Sequence, residues 1–141
     1  MGYNVKIKGN SGTVELNRKI VASCQFMMDS PDDSNAKATD VGMKLKITGR
    51  ILTVLDGGTD ESIKLSQWAL LGSESADSYK DVVVTNNTTG MVVREFHFPN
   101  AFVLSYNEKF GDETGVGEFT LVLRQKKDMN KKIMVNGYFG E

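Results

Sequence analysis

Apolar and polar residues alternate with a period of two along most of this chain. In the segment MKLKITGRI, Met43, Leu45 and Ile47 fall on one face, and Lys44 and Lys46 fall on the other. This alternation is typical of an antiparallel strand with one face against a core and the other toward solvent. Residues 20–28 and 118–126 repeat the pattern, and shorter apolar runs raise the total to eight or nine predicted strands.

One segment departs from the alternation and has a helical pattern. The sequence TDESIKLSQWALLG predicts a helix over residues 60–72, about three turns long, which begins at Thr59 or Asp60 and ends at Gly72. The predicted apolar face of this helix consists of Ile63, Leu65, Trp68, Ala69, Leu70 and Leu71.

The predicted elements indicate a mainly β protein. We expect a compact antiparallel β-barrel, or a closed two-sheet sandwich, with one short flanking helix in a single domain over residues 1–141. The sequences GNSG and NNTTG predict hairpin loops. MVVREFHF and AFVLSY are predicted as separate strands, with Pro99 at a strand edge or in a loop.

Composition and charge exclude several classes of protein. The formal net charge of −1 gives no reason to expect specific nucleic-acid binding. No apolar run is long enough for a transmembrane helix, and no secretion signal is visible, so we expect synthesis in the cytoplasm. The single cysteine excludes a disulfide within the chain.

Candidate chemistry is sparse. His97 has no nucleophile or carboxylate assigned to it by any motif, and Cys24 lies on the apolar face of its strand. The aspartates near residue 32 lack the spacing of a calcium loop. We therefore predict a protein that is not an enzyme and has neither a cofactor nor a metal ion. The basic sequence RQKKDMNKK has two open interpretations, a solvated hairpin tip or a docking patch for an acidic protein.

Two features point beyond a simple monomer. Met27, Val83 and Val122 put apolar side chains on the strand faces that should be polar, which indicates that the helix or another subunit covers them. The stretch DSPDDSNAKATDVG, residues 29–42, is a long polar excursion between two strands, and such loops are usually functional or disordered.

The order of these segments is similar to that of the tube proteins of contractile injection systems, which include phage-tail-like bacteriocin tubes and the haemolysin-coregulated protein of type VI secretion. The resemblance covers most of the chain and is most specific in MVVREFHFPNAFVLSYNEKFGD and GEFTLVLRQKK. The matching positions are Arg94, Asn100, Ala101, Val103, Tyr106, Glu108 and Phe110.

This resemblance implies a structural subunit that forms stacked, hexameric rings around a central lumen. Its partners would be copies of itself and the sheath and baseplate proteins of a phage-tail-like particle. It implies that Arg94 and Tyr106, like the three apolar residues above, lie on strands at subunit interfaces. Residues 29–42 would form the loop that stacks one ring on the next, with the candidates Asp29, Pro31, Asp32, Asp33, Asn35, Lys37 and Asp40.

The residues alone also allow another interpretation. A monomeric, soluble β-barrel with many methionines and phenylalanines could bind a small apolar ligand in its interior. Assembly into rings and an empty, ligand-sized interior are the observations that distinguish the two hypotheses.

Overall fold

The computed structural model describes residues 2–29, 42–51, 61–72, 74–88, 91–111, 117–126 and 133–140. Eight strands and one α-helix make up this part of the chain. The elements are β1 Gly2–Gly9, β2 Gly12–Leu16, β3 Val21–Asp29, β4 Gly42–Ile51, α1 Ile63–Ala69, β5 Lys80–Thr88, β6 Met91–Phe110, β7 Gly117–Gln125 and β8 Met134–Gly140. A short 3₁₀ turn, Ala76–Ser78, precedes β5.

All eight strands belong to one antiparallel sheet. The order is β2-β1-β5-β6-β7-β4-β3, and β8 pairs with β6. The described strands at the two ends, β2 and β3, do not pair with each other, so hydrogen bonds do not close the sheet into a barrel. Instead the sheet folds over, and Phe26 of β3 stacks on Phe96 of β6 with ring centroids 4.7 Å apart. The predicted class, mainly β with one helix, is confirmed, and the open sheet is compatible with a sandwich.

Seven strands and the helix fill one hydrophobic core. The alternation read from the sequence explains it, since Leu45 and Ile47 on β4 are almost completely buried while Lys46 between them is exposed. The largest fully buried apolar side chains are Phe98, Phe119, Ile7, Leu16, Leu45, Ile47, Leu65, Leu121 and Leu123.

The prediction of separate strands MVVREFHF and AFVLSY is wrong, because both belong to the 20-residue strand β6. Pro99 lies inside this strand, where the register against β5 shifts by one residue between the pairs Val82–Phe98 and Lys80–Ala101. A bulge tolerates a residue without an N–H, since one residue there is left out of the ladder. At this bulge β6 leaves β5 and continues alongside β7.

The first predicted hairpin loop is confirmed, and the second loop is shorter than predicted. Gly9 and Gly12 pair around a two-residue turn, and Gly12 has a φ of 138°, a conformation that favours glycine. In the second hairpin Thr88 pairs with Met91, so the strand continues through two asparagines that were assigned to the loop.

The helix is shorter than predicted. It covers Ile63–Ala69, with Ser62 at its N-cap, instead of residues 60–72. The predicted first residues, Thr59 and Asp60, lie outside the described part of the chain. Seven residues make about two turns, so a single apolar stripe reaches the core. That stripe is Leu65 and Trp68.

Candidate functional site

The helix is held against the sheet by polar contacts around one indole ring. Trp68 is 4% exposed, and its Nε1–H donates a hydrogen bond of 2.9 Å to the carbonyl oxygen of Ser78. The ammonium of Lys80 lies 5.8 Å from the indole centroid, a distance at which a cation–π attraction acts. The helix is therefore fixed through contacts with the 3₁₀ turn and the start of β5.

The same lysine connects these elements to the first hairpin. Lys80 Nζ donates to Asp77 Oδ1 at 2.8 Å and to Ser11 Oγ at 3.4 Å, and the backbone N–H of Ser11 donates to Asp77 Oδ1 at 3.3 Å. The hydrogen bond from Lys80, followed by the one from Ser11, lowers the pKa of Asp77 to about 2. These bonds tie the first hairpin to the start of β5, and Ser11, Asp77 and Lys80 also line the surface groove beside α1.

Free strand edges are the most conspicuous feature of the sheet. Within the described ranges, β2, β3 and β8 each pair on one side only. The second half of β6, residues 102–110, pairs only with β7. The four-stranded section β3-β4-β7-β6 therefore has an unpaired edge at each end. Such edges present unpaired N–H and C=O groups to any strand that can add to them.

Three of the predicted interface residues lie on the outward face, as the alternation predicts. Val83 lies between Lys6 and His97, and Val122 lies between Lys46 and Ser105 in the register of the sheet. Met27 pairs with Lys44 on β4. All three side chains are half-buried. Met27 and Val122 share the face of the four-stranded section, whereas Val83 belongs to another part of the sheet.

Arg94 and Tyr106 occupy different halves of β6. Arg94 is exposed and pairs with Asn86 and Gly137. Tyr106 packs on Phe119, with ring centroids 6.3 Å apart, and its hydroxyl donates a 2.6 Å hydrogen bond to Glu108. The structure of one chain thus does not bring the five predicted interface residues into one cluster.

Exposed apolar side chains form a set that the sequence did not identify. Leu104 is 44% exposed at the point where β6 carries an extra residue against β7, and bulges of this kind leave no mark on a period-two pattern. Leu70 at the end of α1 is 85% exposed, which corrects its assignment to the buried face. The exposed large apolar residues are Met28, Ile63, Leu70, Leu71, Met91, Leu104, Phe110, Met134 and Val135.

The predicted loop lies almost entirely outside the described residues, and with it Pro31, Asp32, Asp33, Asn35, Lys37 and Asp40. Its two ends are described, because Asp29 at the end of β3 pairs with Gly42 at the start of β4. The segment therefore leaves and re-enters the sheet at adjacent positions.

His97 and Cys24 are the possible reactive groups that the sequence offers. His97 lies on the face opposite Phe96 and Phe98, next to Val83 and Met134 in the register. Burial raises the pKa of the Cys24 thiol to about 12, which disfavours the reactive thiolate. Within the described ranges no three metal-ligating side chains form a cluster, and no helix has the length and apolar character needed to cross a membrane.

A surface groove of about 330 Å³ lies between the first hairpin and α1. Ile7, Val14, Trp68 and Leu71 are among its lining residues. The interior of the described sheet is instead filled by large side chains such as Phe98, which is completely buried. The packing therefore does not favour an apolar ligand inside a barrel.

Several solved structures have a fold similar to that of this chain. Hcp1 from Flavobacterium johnsoniae matches with a TM-score of 0.56 and 15% identity, over 98% of this chain and 99% of that protein. A chain of the six-fold symmetrised anti-feeding prophage baseplate matches with a TM-score of 0.55 and 14% identity, over 96% of this chain and 93% of that chain. A chain in the sheath/tube terminator structure of an extracellular contractile injection system, PVC, matches with a TM-score of 0.53 and 13% identity. The match covers 96% of this chain and 94% of that chain.

The chain has the Hcp-like tube-protein fold. The resemblance inferred from the sequence is confirmed at the level of the fold, and the match extends over nearly the whole length of both chains. No protein-family pattern and no curated protein sequence matches the chain. The chain thus shares the Hcp-like fold at a low level of sequence identity.

Proposed function

We propose that this chain is a structural subunit of the inner tube of a contractile injection system. The observation that carries the proposal is the match of nearly the whole chain to Hcp1 and to chains of the anti-feeding prophage and PVC particles. The match covers 98% of this chain and 99% of Hcp1, so the whole described sheet and the helix belong to the shared fold. A structural role without catalysis belongs to this proposal.

The surface of the chain supports self-assembly. An isolated sheet with unpaired edges at β3 and at the second half of β6 exposes backbone groups that a neighbouring copy can pair with. Among the described residues, nine exposed large apolar side chains leave further surface that gains free energy when it is covered. Pairing of β3 with the second half of β6 from the next copy would extend the same sheet around a ring.

We further propose hexameric rings stacked into a tube with a lumen. The six-fold symmetry of the anti-feeding prophage baseplate supports this number. Residues 29–42 are the proposed stacking loop, since they begin and end at the paired positions Asp29 and Gly42 and so can extend from the sheet without disturbing it. Met27, Val83, Val122, Arg94 and Tyr106 remain the proposed interface positions.

The proposed setting is a phage-tail-like particle. The chain would be made in the cytoplasm and assembled with sheath and baseplate proteins. Support comes from matching chains that occur in a baseplate structure and in a sheath/tube terminator structure. These partners are inferred from the tube function, and evidence against that function would also be evidence against them.

Negative-stain electron microscopy of the purified protein over a range of concentrations tests the tube function. We expect rings or stacked rings with a central hole. A variant that lacks residues 31–40 should still form rings but should lose stacking, because the strands that flank the deletion remain paired. A variant with Lys8→Glu, on the exposed face of β1, serves as the control for an unrelated surface change.

Uniform monomers of the full chain at every concentration, also in the presence of its sheath and baseplate proteins, would contradict the proposed function. Unchanged stacking of the deletion variant would instead contradict only the role of the loop. The two parts of the proposal are thus tested separately.

A further inference from the structure

The proposed tube function assigns no role to the surface groove beside α1. The groove has a volume of about 330 Å³, near the lower end of the range of small-ligand pockets, roughly 300–1,000 Å³. Its walls come from three elements, since Val14 lies on β2, Trp68 on α1 and Lys80 at the start of β5. Hydrogen bonds of Trp68 and Lys80 fix these elements to one another, so the groove is formed before any ligand binds.

One part of the groove is apolar. Val14 and Trp68 are 9% and 4% exposed, while Leu71, just after α1, remains 38% exposed. An apolar group that enters the groove would cover the exposed surface of Leu71, and removing such surface from water is favourable. Because the volume is small, the groove suits an apolar body about the size of one aromatic ring.

The other part of the groove contains a buried cation. Lys80 is 7% exposed, and its ammonium donates to Asp77 Oδ1 at 2.8 Å and to Ser11 Oγ at 3.4 Å. An ammonium has three N–H donors, and within the described part of the chain these two acceptors are the ones that contact it. The hydrogen bond from Lys80 lowers the pKa of Asp77 to about 2, so the pair is ionised at neutral pH. An anionic oxygen on a ligand would supply a third acceptor.

The charges along the groove favour a single anionic group over a cation. The charged residues of the described lining are Lys64, Asp77 and Lys80. An organic cation would meet like charge from both lysines, and Asp77 already accepts from Lys80 and from the N–H of Ser11. A ligand with several charges would place some of them against the apolar wall, which is costly. One carboxylate therefore matches the groove better than a cation or a polyanion.

We propose that this groove binds a small monocarboxylate with an apolar body. The body would lie against Trp68 and Leu71, and the carboxylate would accept a hydrogen bond from the ammonium of Lys80. A hydrogen bond between two charged groups is stronger than one between neutral groups. This binding needs one folded chain alone, so it goes beyond the proposed tube function and does not depend on it.

Phenylbutyrate is the probe that tests this inference, because it joins one aromatic ring to one carboxylate. Trp68 is the only tryptophan and lines the groove, so its fluorescence should change along a saturable curve as phenylbutyrate is added. Isothermal titration calorimetry measures the same equilibrium independently of the indole. The neutral phenylbutyramide should bind about tenfold more weakly, since it keeps the ring but loses the charged acceptor. Phenylbutylamine, a cation, should bind more weakly still.

A matched pair of leucine variants locates the site. Leu71→Gln removes an apolar side chain from the lining and should weaken binding of phenylbutyrate about threefold or more. Leu70→Gln makes the same change at an adjacent position that is 85% exposed and outside the described lining, so it should leave binding unchanged.

A double variant tests the role of the ammonium. Asp77→Asn with Lys80→Gln removes the cation without leaving its partner as an unpaired charge. The preference for phenylbutyrate over phenylbutyramide should then fall from about tenfold to about twofold or less. Circular dichroism and size-exclusion chromatography check folding and assembly of every variant. If the double variant does not fold, the leucine pair and the three probes still test the inference.

Saturable binding with the expected order of probes, weakened by Leu71→Gln and not by Leu70→Gln, supports the inference whether or not the chain forms rings. Three results would overturn it. The first is the absence of saturable binding of phenylbutyrate. The second is equal affinity for phenylbutyrate and phenylbutyramide, which would show that the carboxylate is not recognised. The third is equal affinity of the two leucine variants, which would locate the binding elsewhere on the chain.

Discussion

Replacement of Trp68 by phenylalanine tests how the helix is fixed to the sheet. The indole N–H donates to the carbonyl oxygen of Ser78 at 2.9 Å, and both residues are buried. Phenylalanine keeps most of the ring but removes the donor, so the carbonyl oxygen of Ser78 loses its partner away from water. The change therefore separates the hydrogen bond from the bulk of the packing.

The expected loss has three parts. A buried carbonyl oxygen without its partner costs about 1–3 kcal/mol. The smaller ring buries less apolar area, worth roughly 1 kcal/mol, and a weaker cation–π attraction to Lys80 adds about 0.5 kcal/mol or less. We expect Trp68→Phe to lower the free energy of unfolding by about 2–4 kcal/mol. For a chain of this length the melting temperature should fall by about 6–12 °C.

Urea and thermal unfolding followed by circular dichroism measure this change, since the variant has lost the only tryptophan. The protein concentration is chosen so that size-exclusion chromatography gives the same single species for all variants, because assembly shifts apparent stability. Tyr79→Phe is the control, as it removes one oxygen from a neighbouring half-buried ring and should cost less than about 0.5 kcal/mol. Equal stability of Trp68→Phe and the control would refute the assignment of the helix anchor to this hydrogen bond.

Two further predictions concern single residues. A Cβ at Gly49 would lie 2.5 Å from the ring of Phe119 and 2.6 Å from a backbone carbonyl oxygen, so Gly49→Ala should destabilise the fold by about 1–3 kcal/mol in urea unfolding. Adding Phe119→Leu should not restore stability fully, because the backbone contact remains; full recovery would assign the whole effect to the ring. The Asp77 carboxylate has a pKa of about 2 when folded, against an ordinary value of 3.8, so its stabilising effect is complete above pH 4 and is lost as the pH falls toward 2. The stability difference between the wild-type protein and Asp77→Asn should therefore shrink between pH 4 and pH 2, and a difference that stays constant would argue against the contact with Lys80.

Local alternation was sufficient to locate most of the strands. It succeeded in β4 and β7 because one face of each strand is buried and the other is not, so side chains alternate in burial along the chain. It failed in β6, where Pro99 looked like the end of a strand. A strand that carries bulges continues through such a residue, and only its pairing partners reveal this.

The candidate site was predictable only in part. The apolar character of Met27 and Val122 on an outward face was visible from the sequence, and their placement there is confirmed. The proximity of Lys44 and Arg124 was not visible, because the two residues are eighty positions apart and become neighbours only through the pairing of β4 with β7. The sequence identified Arg124 only as part of a local basic run.

By itself the sequence determined the β-rich class, the position of one helix, the first hairpin and the absence of a recognisable catalytic motif. These properties depend on residues that are close together along the chain, where periodicity and turn chemistry act directly. The strand order, the continuous β6, the short helix with its exposed leucine and the proximity of Lys44 and Arg124 were decided by the tertiary structure. They depend on register between distant segments, and register is set by the packing of the whole sheet.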